Sequence, residues 1–113
     1  MFTDSDDYVK KDLIEKCVGW AEKDQCDMVI FDFIRVEEGL KEITTLEIEE
    51  SGIYSLKEEP RLLFGSPSAV NKLFRRDLFV KTKIRFPVGK YYEDLGTTPK
   101  LLLMAEKIGY LKE

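Results

Sequence analysis

The sequence predicts an α/β fold, and three stretches carry that prediction. Apolar residues recur at helical spacing between Leu13 and Ala21, and again from Leu101 to Ala105 near the end of the chain. Between them, Met28-Val29-Ile30-Phe31 is apolar on both parities, as expected for a strand covered on both faces. The chain has 113 residues, 43% hydrophobic and 35% charged, which suffices for one unit over 1–113 with a small core. No repeat, linker or low-complexity stretch argues for a second domain.

In the first helix Leu13, Ile14, Cys17, Val18 and Ala21 form the stripe to be buried, with Glu15, Lys16, Glu22 and Lys23 opposite and Trp20 at the edge of the core. Gly19 costs about 1 kcal/mol against Ala in a helix interior, so its presence predicts close packing there. Lys23-Asp24-Gln25 ends the helix. The stretch Cys26 to Val36 reads as the central strand, and Glu37-Glu38-Gly39 as a turn. Thr44, Leu46 and Ile48 alternate with Thr45, Glu47 and Glu49, which predicts a half-exposed strand antiparallel to the first. Ser51-Gly52 is a second turn. The region from Ile53 to Pro67 is mixed, strand-like at Tyr54 and Leu56 and helix-like at Leu62, Leu63 and Phe64.

Further on, Val70, Leu73 and Phe74 and then Leu78 and Phe79 predict a short strand or turn followed by a short helix. Lys83 to Pro87 is extended at its end, because the residue before proline is biased away from the helical region. Gly89 marks a loop. A last helix is expected to open at Thr98-Pro99, with a capping hydroxyl and a proline at its first position. Leu101, Leu102, Met104, Ala105 and Ile108 supply its buried side.

The formal net charge of -4 disfavours nucleic acid and anionic lipid as partners. Lys72, Arg75 and Arg76 make the one local basic patch. Cys17 and Cys26 lack Cys-x-x-Cys spacing, and there is no histidine, so a structural zinc site is not expected. The two read as core thiols in a reducing compartment. No charged-then-apolar leader precedes the first helix, and no apolar run nears the roughly 20 residues of a membrane span. A soluble, cytoplasmic chain with no transmembrane segment is the expectation.

Two acidic motifs point to chemistry. Thr3-Asp4-Ser5-Asp6-Asp7-Tyr8 puts three carboxylates within four residues. Like charges that close raise at least one pKa unless a cation or hydrogen-bond donors offset them. Asp4 and Asp6 alternate as at a strand end, and oxygen ligands suit Mg²⁺ or Mn²⁺. Acidic residues are also favourable at a helix N-terminus, which is the competing reading. An EF-hand loop with Asp4, Asp6 and Glu15 fails, because Val9 stands where glycine is needed and Tyr8 replaces an oxygen ligand. The second motif, Glu93-Asp94, taken alone reads as a solvated helix start.

The motifs acquire meaning in their order. Phe2-Thr3-Asp4-Ser5-Asp6-Asp7-Tyr8, Asp27-Met28-Val29-Ile30, Asn71-Lys72-Leu73-Phe74-Arg75-Arg76, Arg85-Phe86-Pro87 and Tyr92-Glu93-Asp94-Leu95 together resemble family-two glycosyltransferases with the GT-A fold. The resemblance covers essentially the whole chain. It implies a partial GT-A, Rossmann-like fold, a mixed sheet with flanking helices that corresponds to the second half of such an enzyme. The family's opening nucleotide-binding segment has no counterpart here, and Ile108 to Glu113 stop before the usual closing strand.

The activity so implied is transfer of a sugar from a nucleotide-sugar donor to an acceptor hydroxyl, with inversion, in cell-surface polysaccharide synthesis at the inner face of the membrane. By resemblance, Asp4 lies near the donor ribose and Asp6 binds the divalent metal, Mn or Mg, that bridges the donor diphosphate. Asp94 corresponds to the general base and Glu93 helps to position the acceptor. Asn71 and Lys72 match a stretch on the acceptor side without an assigned role. The isolated chain is expected to be inactive and to form a homodimer through an exposed strand edge. The alternative is a non-catalytic truncated α/β module that only self-associates or binds a partner.

Overall fold

A computed structural model of the chain describes residues 8–44, 46, 48, 50–64, 70–85 and 93–112. The elements run α1 (Leu13–Asp24), β1 (Met28–Phe31), β2 (Phe33–Glu37), β3 (Leu40–Thr44), β4 (Gly52–Tyr54), a 3₁₀ helix (Pro60–Phe64), β5 (Lys72–Phe74), α2 (Arg76–Thr82), α3 (Glu93–Met104) and β6 (Ile108–Leu111). Four strands form a mixed sheet in the order β4-β6-β1-β5. β1 runs parallel to β6, with Met28 beside Ile108, and antiparallel to β5, with Met28 beside Phe74. β4 and β6 are antiparallel, and β2 and β3 form a separate hairpin.

All four residues of β1 are buried because each parity meets its own layer. Met28 and Ile30 join Phe74, Ile108 and Tyr110 in a cluster with Leu78 of α2 and Leu101 and Leu102 of α3. Val29 and Phe31 join Leu111 and Cys17 of α1, with Leu73, Trp20 and Ala21 at its margin. Helices therefore cover both faces of the sheet, as the apolar run predicts.

Asp27 ties the amino ends of β1 and β6 together. Its Oδ2 accepts the backbone N–H of Glu106 at 2.8 Å and of Lys107 at 3.3 Å, just beyond α3. Its own N–H donates to the Lys107 carbonyl, and its carbonyl accepts the Arg75 N–H. α3 must then run back along the sheet, which sets its first turns at the carboxyl ends of β1 and β6.

Several expectations are corrected. The central strand ends at Phe31, and Asp32 separates it from the hairpin, whose second strand, Leu40–Thr44, begins earlier than the alternation predicts. Leu46 and Ile48 are buried without belonging to a strand. Gly52 opens β4 instead of completing a turn. Ile14 is 50% exposed, and Gly19 meets no atom within 4 Å of the Cβ it lacks, so α1 buries a narrower stripe with no close contact at the glycine.

The last helix starts at Glu93, not at Thr98, and carries Pro99 inside it. Ile108 belongs to β6, a strand buried along its whole length, where the sequence predicts helix and then an open end. Met104 is 56% exposed. The acidic motif with Asp4 and Asp6, and the loop at Phe86 to Gly89, lie outside the described residues.

Candidate functional site

Apart from one region, the buried side chains are apolar. The buried polar or charged residues among those described are Asn71, Lys72, Thr97 and Thr98. All four belong to two segments, the start of β5 and the first half of α3. β5 is antiparallel to β1, so its start lies at the carboxyl end of β1, where the first turns of α3 also arrive. The polar part of the interior is thus gathered at one edge of the sheet. Ligands of open α/β sheets bind outside the carboxyl ends of the strands.

The bonds at this edge form a connected set. Phe31 N–H donates to the Asn71 carbonyl at 3.0 Å, and Asn71 Nδ2 returns a bond to the Phe31 carbonyl at 3.2 Å. Lys72, 2% exposed, donates from Nζ to Asn71 Oδ1 at 2.7 Å. A buried ammonium is stable only where it is hydrogen-bonded or paired, and its amide contact fixes which way Asn71 faces. Next in the chain after β1, Asp32 accepts the Tyr110 hydroxyl at 2.6 Å on Oδ1, and that hydroxyl accepts the Leu46 N–H at 3.3 Å. β1, β5, β6 and the segment after the hairpin are so joined at the mouth of the site.

The predicted site residues are placed unequally. Glu93 and Asp94 open α3, so both backbone positions fall at this edge. Position 94 lies on the same helical stripe as Thr98 and Leu101, at spacings of four and seven residues, both of which are buried. Position 93 leads toward Thr97, which is buried, and then toward Lys100 and Met104, which are exposed. The two carboxylate positions are therefore not equivalent. Asp4 and Asp6 lie outside the described residues, and among the described ones no three His, Cys, Asp or Glu side chains gather to hold a metal ion.

Lys72 is not part of a surface basic patch, since it is buried while Arg75 and Arg76 are exposed. Asp32 and Tyr110 escape sequence reasoning, because Asp32 reads as an interruption of an apolar run and Tyr110 as part of a chain end. An open groove of about 400 Å³ between α1 and β5, lined by Ala21, Cys26, Leu73 and Arg75, lies at the opposite end of β1 and holds none of the predicted residues.

The family model for glycosyl transferase family 2 matches residues 1–82. This chain belongs to glycosyl transferase family 2. Its structure is similar to the crystal structure of S. aureus TarS 1-349, with a TM-score of 0.79 and 24% identity over 97% of this chain and 32% of that one. It is equally similar to the same protein in complex with UDP, with a TM-score of 0.78, 24% identity, and 98% and 32% coverage. The chain thus spans about a third of the length of these structures. Among curated proteins none matches. The mixed sheet with flanking helices is the GT-A-type arrangement that the sequence motifs lead one to expect.

Proposed function

We propose that this chain is the acceptor-side half of an inverting, nucleotide-sugar-dependent glycosyltransferase, with Asp94 as general base. The observation that carries the reading is the concentration of buried polar side chains at the edge where α3 begins, together with the place of residue 94 in the first turn of that helix. Asp94 takes the proton from an acceptor hydroxyl as that oxygen attacks the anomeric carbon, and the nucleoside diphosphate leaves from the opposite face. Glu93 would orient the acceptor. The UDP bound by the structurally similar protein supports a nucleoside diphosphate as the leaving group.

Asp6 would hold a divalent ion through the oxygen donors that Mg²⁺ or Mn²⁺ take, and Asp4 would face the donor ribose. Such an ion supplies Lewis-acid neutralisation of the departing diphosphate. Cell-surface polysaccharide synthesis at the inner face of the membrane remains the setting in which we place the reaction. Because the similar structures are about three times longer, this chain by itself is expected to show no transferase activity.

Substitution in the full-length protein separates the two acidic motifs. Asp6→Asn is expected to abolish metal-dependent binding of nucleoside diphosphate, measured by calorimetry. Asp94→Asn should leave that binding intact and lower turnover about 100-fold or more, the scale of losing a general base. Turnover by Asp94→Asn at the parent's rate would remove the base assignment. If the full-length protein neither bound nucleoside diphosphate with Mn²⁺ nor transferred sugar, the non-catalytic module would be the better reading.

A further inference from the structure

Thr98 is 0% exposed, and its Oγ1 has no hydrogen-bond partner among the described residues. Buried hydroxyls are normally bonded, and an unpartnered one marks strain, an absent ligand or a catalytic role. The residue sits in the middle of α3, where threonine has no advantage as a helix former. Valine would fill the same volume without a hydroxyl to desolvate. The neighbouring Thr97 is also buried, so two successive hydroxyls of α3 are held inside.

Counting back one turn from Thr98 along its own stripe gives position 94. Residues four apart on a helix are neighbours, with Cβ atoms about 5–6 Å apart. We propose that Thr98 is a positioning residue for Asp94, its buried hydroxyl being the donor that orients the carboxylate when donor and acceptor occupy the site. This rests on the reading of Asp94 as the base. A hydroxyl that donates to the carboxylate leaves one oxygen to accept the proton from the acceptor, and it narrows the directions in which that oxygen points. Because the bond forms in the loaded site, its cost falls on the empty protein as an unsatisfied hydroxyl, and its benefit appears in turnover.

The test compares Thr98→Val with Thr98→Ser. In this chain, Thr98→Val is expected to melt at the same temperature as the parent or higher, because it removes a hydroxyl without a partner. In the full-length protein the same variant should lower kcat about tenfold or more while the KM for the nucleotide-sugar stays within twofold. Thr98→Ser should recover most of the lost kcat. A lower melting temperature for Thr98→Val in this chain would show that the hydroxyl already serves the fold, and would overturn the proposal. So would an unchanged kcat for Thr98→Val, or a Thr98→Ser variant as slow as Thr98→Val. If Asp94→Asn turned over normally, the base assignment itself would fall and the proposal with it, whereas a slow Asp94→Asn beside a normal Thr98→Val would sink only the proposal.

Discussion

Tyr110 shows how one side chain can serve both the core and the site edge. Its ring is fully buried on the α3 face of the sheet beside Ile30 and Ile108, and its hydroxyl reaches past them to Asp32 at 2.6 Å while accepting the Leu46 N–H. The ring contributes apolar burial, and the hydroxyl bonds a carboxylate, the stronger class of hydrogen bond. Tyr110→Phe keeps the first and deletes the second. We expect it to lower stability by about 1.5–3 kcal/mol in chemical denaturation, the range for a hydrogen bond to a charged group. A loss below about 0.5 kcal/mol would show that water replaces the hydroxyl at little cost.

At the scale of elements, α3 is where local propensity and tertiary structure disagree. Thr98-Pro99 reads as a helix start, because a hydroxyl cap followed by proline satisfies the first orphan N–H groups. The helix nevertheless begins five residues earlier, at Glu93, and carries Pro99 at its seventh position. Proline there removes one i→i−4 bond and crowds the preceding turn. Burial of Thr97, Thr98, Leu101 and Leu102 against the sheet offsets that cost. Pro99→Ala should therefore raise the melting temperature of this chain and increase its helical circular dichroism; a fall in either would mean that the proline sets a bend which the packing requires.

For the whole molecule, the sheet leaves an edge and the hairpin leaves a face. β5 has no strand on its outer side among the described residues. Ile34, Val36 and Ile43 share one face of the β2–β3 hairpin, and all are exposed. An unpaired edge and a row of exposed β-branched side chains favour association with another chain. We expect the isolated chain to self-associate at high concentration, seen as a rise in weight-average mass by sedimentation. A clean monomer throughout would show that the edge is already covered.

What the sequence determined by itself is the set of local periods and their order. The apolar run Met28 to Phe31, with both parities buried, named the central strand because only a strand covered on both faces tolerates continuous apolar residues. The helical stripe around Cys17 and the short β5 and α2 were legible for the same reason, and the joint order of the acidic and basic motifs identified the family. Ile14 and Met104 fit those periods equally well and yet are exposed, since a period defines a stripe but not its width. Tertiary structure alone decided that Ile108 to Leu111 form a strand, because a four-residue stretch carries no period long enough to separate helix from strand and only pairing with β1 and β4 chooses. It alone brought Lys72 inside and bonded Asp32 to Tyr110. The bonds of Asn71 to Phe31 and of Tyr110 to Asp32 at this edge join residues 40 and 78 positions apart, and no local pattern encodes a partner at that distance.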